Sequence, residues 1–392
     1  MTRILLTVAA GVSLSAAARA QCERAEALAA YESEWLATNT TTAELAWTGA
    51  VVGCDPGEPS ELARDHALRR VNYYRAACGL PPVTLDAEWS RKAQAAAVMM
   101  DSANANDHYP EPDYPCFTED GRQAAGKSNL YTGRWGAHAV AGYIEDPGAH
   151  NGAVGHRRWI LFPPQQQIGM GFTSGADAMW VVGGPKSRPA TPEGVAWPPS
   201  GYVPAALVHP RWSFAQHRAD FSAATVTLTG PRGEDIPLTV NEIENGFGDN
   251  TIVWEPDMSL VDTDPEYDEA YRVRIDNVVE GGVPRSYAYT VIAMAVGKPG
   301  CTAQLVSSTG AAAPTPPAIA YHPGGRELVV RGEVGEHDVL VSDEVGRVLL
   351  RGRVAAGAPL SVRHLPRGVY VAQLLRPQSA GGPAQAHRFA IL

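Results

Sequence analysis

Apolar residues recur at helical spacing in the first half of the chain. Three helices are predicted: one that starts after Ser60, a candidate N-cap, and stops at the Gly-Leu-Pro-Pro run of 79–82, a second through Trp89 and Met100, and a third over about 134–144. Short apolar runs between and after the helices predict buried strands, for example at 168–172 and 178–182. This part of the chain therefore has an α+β pattern.

The second half of the chain loses the helical periodicity. Residues 186–204 are rich in Pro and Gly and are predicted to be a linker. Beyond them, short runs alternate apolar and polar residues between turn residues, which is typical of β-sandwiches. The predicted order is a helical extension, an α+β domain, the linker, an Ig-like β-sandwich, a second linker and a small β-domain: 21–56, 57–185, 186–204, 205–300, 301–318 and 319–392.

The first 20 residues are predicted to be a cleaved signal peptide. Arg3 precedes an apolar run over 4–14, and Ala18-Arg19-Ala20 has the small residues of a signal-peptidase site. No later stretch is long and apolar enough to cross a bilayer, so we expect a secreted protein with no transmembrane segment. Removal of Arg3 and Arg19 takes the formal net charge from −10 to −12, which argues against a nucleic-acid partner.

Five cysteines lie in a chain predicted to meet an oxidising compartment: Cys22, Cys54, Cys78, Cys116 and Cys301. The sequence alone does not fix how they pair. Proximity along the chain favours Cys22 with Cys54 and Cys78 with Cys116, which would leave Cys301 unpaired. A bridge from Cys78 to Cys116 would brace the loop that carries His108.

The common catalytic signatures are absent from the sequence, which has no HExxH, GxSxG, Walker or GxGxxG motif. Polar residues nevertheless recur within the apolar helical domain. They are His108 in "NDHYP", Ser128 and Asn129 in "KSNL", Asp146 after the third helix, and His156 in "GHRRWIL". A histidine in such surroundings is often a structural residue, so the order of these motifs matters more than any single one.

The order of these motifs resembles the CAP superfamily of cysteine-rich secretory proteins, antigens and pathogenesis-related proteins, including bacterial relatives. The matching stretches lie between about 60 and 182 and read "RVNYYRAACGLPPVTLDAEWSRKAQAAAVMM", "NDHYP", "KSNL", "YIEDPG" and "GHRRWILFPPQQQIGMGF". The resemblance implies an α-β-α sandwich with a central cleft, into which two histidines and two acidic residues point.

The family positions transfer to this chain with one departure. The two family histidines fall on His108 and His156, and the second acidic residue falls on Asp146 rather than Glu145. The first acidic residue is replaced by Ser128, which removes a negative charge. Two neutral imidazoles can share one divalent ion, with zinc as a candidate, but such a site is expected to be weak.

The residues after His156 carry two further expectations. Arg157 and Arg158 cannot ligate a metal, so we expect them to pair with acidic residues on the surface or to flank the cleft opening. Residues 159–161 are predicted to be a buried strand that fixes His156 in place.

The C-terminal domain carries a second resemblance. The stretches "VLVSDEVGRVLLRGRV", "LSVRHLPRGVYVAQLL" and "HRFAIL" resemble the sorting domains of type IX secretion cargo. This resemblance implies contact with outer-membrane secretion machinery and a secreted or surface-held protein of a Gram-negative bacterium. A small accessory adhesion module is the alternative interpretation of the same strands.

Three functions remain open at this point. The first is a secreted module that binds a small apolar or other extracellular ligand, with a weak divalent-metal site in its cleft. The second is a metal-dependent hydrolase, for example a peptidase, in which a metal on His108 and His156 activates water and Asp146 is the general base. The third is a surface adhesin whose β-domains bind.

Overall fold

The computed structural model describes residues 16–184, 187–189, 193–298, 318–322, 327–331, 336–343, 347–355, 358–375 and 386–391. The chain divides into two compact units, 1–305 and 306–392. Most of the predicted signal peptide and Cys301 lie outside the described residues. None of the helices in the described ranges is long and apolar enough to cross a membrane.

The helices of the first unit begin where polar side chains can cap them. Ser60 Oγ accepts a hydrogen bond from the Ala63 N–H at 3.1 Å, which confirms the predicted N-cap. Asp86 caps the next long helix through the Trp89 N–H at 2.8 Å. The helices are α1 Ala16–Ala30 (continued by the π-helical turn Tyr31–Trp35), α2 Thr42–Leu45, α3 Glu61–Ala77, α4 Ala87–Ala103, α5 Glu119–Ala125, α6 Gly136–Glu145 and α7 Gly155–Ile160.

A four-stranded sheet lies between these helices. Its order is β1-β3-β4-β2, with β1 and β3 parallel and the other pairs antiparallel. One core cluster packs residues of α4 and α5 against one face, and another packs residues of α3 and α6 against the other, which gives α-β-α layers. The strands are β1 Thr84–Leu85, β2 Ser128–Thr132, β3 Gln167–Phe172 and β4 Ala176–Trp180.

Close packing of α4 on this sheet requires glycine at two positions of β3. A Cβ on Gly169 would lie 2.5 Å from the backbone of Trp89, and a Cβ on Gly171 would lie 2.0 Å from the backbone of Gln94. The sequence "IGMGF" therefore presents bulky side chains to one face and a flat backbone to the other.

Two further four-stranded sheets follow in the same unit and form a β-sandwich. Their orders are β5-β7-β10-β9 and β6-β12-β11-β8. Trp212, Trp254 and Tyr271 are fully buried in the core between them. The strands are β5 Val195–Trp197, β6 Gly201–Pro204, β7 Trp212–Gln216, β8 Thr225–Thr229, β9 Leu238–Val240, β10 Asn250–Pro256, β11 Glu269–Glu280 and β12 Val283–Met294.

The predicted linker 186–204 is wrong over its second half. That segment forms β5 and β6, and each of them is one edge strand of a sandwich sheet. Pro and Gly are tolerated in edge strands, since one side of the strand makes no ladder hydrogen bonds, so the composition is compatible with either structure. One core cluster also runs from α3 through β5 to the sandwich, where the Tyr74 and Trp197 rings lie 5.1 Å apart.

The second unit is a small pair of β-sheets. One sheet has the order β13-β14-β17, and the other has the order β16-β15-β18-β19. Residues such as Leu328, Val341 and Ala372 form its own core cluster. The strands are β13 Ala318–His322, β14 Glu327–Arg331, β15 Glu336–Asp343, β16 Val348–Ala355, β17 Pro359–Ser361, β18 Gly368–Leu375 and β19 Ala386–Ile391.

The predicted disulfide pairs are wrong. The structure joins Cys54 to Cys116, with a Cα–Cα distance of 5.2 Å across 62 residues of sequence. Cys78 is a free, buried thiol whose Sγ lies 3.3 Å from the carbonyl oxygen of Ala196. Proximity along the chain misled the prediction, because the end of α3 turns Cys78 toward the sandwich and away from the loop of Cys116.

Candidate functional site

His156 lies in the first turn of α7, and the strand predicted for 159–161 is wrong. The short apolar run after the arginines forms the end of this helix, and periodicity cannot separate a strand from a helix over so few residues. The Asp146 carboxylate accepts hydrogen bonds from the backbone N–H of His156 at 3.0 Å and of Arg157 at 3.5 Å. Asp146 thus anchors the start of the helix that carries the histidine.

The same carboxylate orients the imidazole. Nδ1 of His156 lies 2.7 Å from Asp146 Oδ1, and the Asp146 side chain is completely buried. A histidine whose Nδ1–H donates to a carboxylate has the tautomer that leaves Nε2 as an acceptor or metal ligand. Asp146 was predicted to line the cleft, but it lies behind His156 as a positioning residue.

The backbone is strained on both sides of this arrangement. Asp146 has φ 53° and Val154 has φ 45°, which is the left-handed region that non-glycine residues rarely adopt. Such strain persists where the surroundings hold the chain firmly. Here Val154 is fully buried and Asp146 holds the next helix, so the strained segment fixes the direction of the His156 side chain.

His108 is held in the same manner from the opposite part of the domain. Its Nδ1 lies 2.9 Å from the carbonyl oxygen of Ala125 at the end of α5. A carbonyl accepts only from a protonated nitrogen, so this contact also leaves Nε2 as the free ring atom. Among the residues that the structure describes, neither His108 nor His156 has a hydrogen-bond partner at Nε2.

Both histidines line one cleft of about 380 Å³. The predicted residues Ser128 and Asn129 line it as well, so four of the five predicted site residues line one cleft. The sequence prediction missed the other groups in this cleft, which are Tyr109, Lys127, His150, Asn151, Trp159, Glu244 and Phe247 among others. They mix aromatic faces with polar and charged groups, as ligand-binding clefts do.

Asn129 ties the sheet to the helix of His156. Its Nδ2 donates to the His156 carbonyl oxygen at 3.0 Å, and its own carbonyl oxygen accepts from Tyr143 Oη at 3.1 Å. Asn129 is 2% exposed and therefore acts as a buried connection under the cleft floor.

Ser128, which replaces an expected acid, has an unusual environment. Its residue is 5% exposed, and its Oγ is buried with no hydrogen-bond partner among the described residues. A buried hydroxyl without a partner is costly, and most native proteins avoid it.

A buried carboxyl group, Asp177, lies beneath the cleft and was not predicted. It accepts hydrogen bonds from Tyr143 Oη at 2.8 Å and from the Gly136 N–H at 2.9 Å. Burial raises the pKa of Asp177 to about 7, although both hydrogen bonds oppose this rise. The Tyr143 ring lies 5.4 Å from the His156 ring, so Tyr143 lies between the Asp177 carboxyl group and His156. The only sequence signal was an acid inside the apolar strand "ADAMW".

The sandwich supplies one wall of the cleft through the segment 241–249. Arg158 donates to the carbonyl oxygens of Glu244 at 2.8 Å and of Asp249 at 3.0 Å. Phe247 packs against Gly155, where a Cβ would lie 3.0 Å from the Phe247 ring. The cleft is therefore a composite of the α-β-α layers and the sandwich.

The expectation for Arg157 and Arg158 was wrong. Both are buried, at 1% and 5% exposed, and they donate to backbone carbonyl oxygens instead of surface acids. Arg157 donates to the carbonyl oxygens of Ile144 at 2.6 Å and Arg211 at 2.9 Å. Burial lowers the pKa of each to about 10, so both remain charged at neutral pH.

The hydrogen bonds of the two histidines are of the kind that metal-ligating histidines make. Each histidine is tied at Nδ1 to an oxygen, which is the outer-shell arrangement of metal-ligating histidines. Within the described ranges, no three His, Cys, Asp or Glu side chains come together in a group able to hold a metal ion. A metal on His108 and His156 would thus take its other ligands from water or a bound molecule.

Comparison with known proteins finds a family match for the part of the chain that forms the α-β-α layers. Residues 68–183 match the family model described as "CAP: Cysteine-rich secretory protein family", which supports the CAP superfamily for the α-β-α layers. No curated protein matches the chain. A solved structure titled "Biofilm associated protein - BSP domain" is similar over 51% of this chain and 29% of that chain, with 15% sequence identity and a TM-score of 0.16.

Proposed function

We propose that this chain is an extracellular CAP-domain protein that binds an extracellular ligand in the composite cleft, with a weak divalent-metal site on His108 and His156. The observation that carries the proposal is the pair of imidazoles in one cleft, each tied back at Nδ1 so that Nε2 is free. The aromatic side chains Tyr109, Trp159 and Phe247 would contact the apolar part of a ligand.

Zinc titration of the full chain by calorimetry tests the metal part of the proposal. We expect one weak site in the wild type and its loss in His108→Ala and in His156→Ala. His364→Ala, which removes an exposed imidazole from the second unit, is the matched control and should bind zinc as the wild type does. Equal zinc affinity in all four proteins would refute the site.

Ligand binding is favoured over hydrolysis by the position of Asp146. Its buried carboxylate already accepts from His156 Nδ1 and from two backbone N–H groups, so it supports the imidazole and does not face the cleft. A general base must reach the proton that it removes. The hydrolase mechanism predicted from the sequence needs Asp146 as a general base in the cleft, and Asp146 does not face the cleft.

Export is the second part of the proposal. The Cys54–Cys116 disulfide suits an oxidising compartment, and the resemblance of 319–392 to type IX sorting domains favours release or surface display by a Gram-negative bacterium. Fusion of 306–392 to a periplasmic reporter protein tests this: outer-membrane export of the reporter supports the sorting role, and periplasmic retention contradicts it.

The adhesin alternative makes a different prediction. If the β-domains bind cells, whole-cell binding should be unchanged in His108→Ala and His156→Ala. If the cleft is the binding site, the two substitutions should reduce it.

A further inference from the structure

Two donor groups of the cleft, the Ser128 hydroxyl and the Lys127 ammonium group, have no acceptor among the described side chains. Ser128 lines the cleft, yet its Oγ is buried and has no hydrogen-bond partner among the described residues. The residue is 5% exposed, so bulk water does not readily satisfy the hydroxyl. Such a group calls for a partner from the contents of the cleft.

A cation lines the same cleft as this hydroxyl. Lys127 also lines the cleft, and its Nζ lies 5.2 Å from the centre of the Trp180 ring. The ring is held in place by stacking on Trp89 at 5.4 Å and by its own hydrogen bond to the Val182 carbonyl oxygen at 2.8 Å. No carboxylate in the described part of the chain lies within ion-pair distance of the Lys127 ammonium group, although many of the other cations have one.

The backbone of Lys127 is held by hydrogen bonds to the residues that follow β4. The Lys127 carbonyl oxygen accepts from the N–H groups of Val181 at 2.9 Å and of Val182 at 3.1 Å. Ser128 begins β2 and pairs with Trp180 of β4, so its side chain lies on the same face of the sheet as the ring near which the Lys127 ammonium group lies. His108 lines the same cleft, and its ring is hydrogen-bonded to Ala125, two residues before Lys127.

The two acids described at this site, Asp146 behind His156 and Glu244 in the cleft wall, belong to other elements. Asp146 is bonded to His156 and is completely buried. Glu244 belongs to the wall supplied by the sandwich, where its carbonyl oxygen is held by Arg158. The position where the family resemblance places an acid beside Lys127 is Ser128, so a hydroxyl stands there in place of a negative charge.

We infer that the cleft holds the oxyanion group of its ligand, a carboxylate or a phosphate, between Lys127 Nζ and Ser128 Oγ. This inference rests on the proposed function, because it assigns a chemical class to the ligand of the same cleft. An oxyanion accepts from both the ammonium group and the hydroxyl, so it satisfies the orphaned Oγ and pairs the unpaired cation at once.

Titration of the metal-free full chain with inorganic phosphate and, separately, with acetate tests the inference. Chloride keeps the ionic strength constant, and NMR follows the indole N–H of Trp180 and the Cε1–H of His108. We expect a saturable shift with at least one anion. Lys127→Gln should weaken the affinity at least about tenfold, since a charge-assisted hydrogen bond is lost, and Ser128→Ala should weaken it about threefold or more.

Ser128→Glu is the most discriminating variant. It places a carboxylate beside Lys127 and should abolish anion binding, whereas Lys298→Gln, a lysine of the sandwich paired with Asp264, should bind the anion as the wild type does. A response to phosphate alone identifies a phosphate ligand, and a response to acetate alone identifies a carboxylate ligand.

The inference is overturned if neither anion gives a saturable shift, or if Lys127→Gln binds as tightly as the wild type. Zinc titration is a separate measurement on the same protein. A failed anion titration with zinc binding intact refutes only the inference, and lost zinc binding with anion binding intact refutes only the metal site.

Discussion

Asp177 should make the stability of the protein depend on pH in a predictable direction. Ionisation of its carboxyl group creates a buried negative charge, and no described cation lies beside it. Asp177→Asn keeps the shape and removes that charge. The amide oxygen can still accept from the Gly136 N–H, and the amide nitrogen can donate to Tyr143 Oη. That hydroxyl can then donate to the carbonyl oxygen of Asn129 or of residue 177.

The direction of this pH dependence follows from the raised pKa of Asp177. Burial lifts the pKa of Asp177 from 3.8 to about 7, so the folded state binds this proton more tightly than the unfolded state does. The stabilisation is fully present below pH 3.8 and is lost as the pH rises to about 7. Between pH 5 and pH 8 the wild type should lose about 2.5 kcal/mol from this group, and Asp177→Asn should not.

Urea unfolding of both proteins at pH 5 and pH 8 measures the effect. The quantity to compare is the free energy of unfolding of the variant minus that of the wild type, which should rise by about 2.5 kcal/mol. His209, whose pKa burial lowers to about 3, gains stability over the same interval, but it is present in both proteins and cancels. Asp276→Asn, at a partly exposed aspartate whose pKa is lowered by its hydrogen bond from Arg274, is the control and should show no change in this interval. An equal difference at both pH values for Asp177→Asn would refute the reasoning.

Three further predictions concern stability. Arg158→Met should lower the free energy of unfolding by about 3 kcal/mol, because the carbonyl oxygens of Glu244 and Asp249 lose their donor. Hydrogen exchange should also increase over 241–249. Unchanged exchange there would contradict the role of Arg158. Ser128→Ala should raise the free energy of unfolding by about 1 kcal/mol in urea, since it removes a buried hydroxyl without a partner, and a loss of stability would contradict this. Cys54→Ser should lower the free energy of unfolding by about 4 kcal/mol, because the unfolded chain regains the entropy lost by closing a loop of 62 residues. Reductant should then have no further effect on the melting temperature of the variant.

The sequence predicted the elements of the α-β-α layers and four residues of the cleft because their signals are local. The Ser60 cap is a short-range signal, and the ordered motifs around His108, Asn129 and His156 identify the family pattern. Helix spacing also revealed which faces are apolar, and the structure buries Val71 and Met100 accordingly.

The errors arise where the outcome depends on contacts between distant parts of the chain. Arg157 and Arg158 were expected at the surface because arginine seldom lies in a core, and the carbonyl oxygens that accept from them belong partly to the sandwich. Cys116 was paired with its neighbour in sequence, although Cys54 lies beside it in space. The same limitation hid Glu244 and Phe247, which reach the cleft only through tertiary packing.

The arginine contacts that join the sandwich to the α-β-α layers have a consequence for the environments this protein can tolerate. Arg157 and Arg158 are buried and bind carbonyl oxygens, so dissolved ions can neither screen these contacts strongly nor compete for them as they do for exposed ion pairs. The wall of the cleft should therefore keep its place in fresh water and in brine alike.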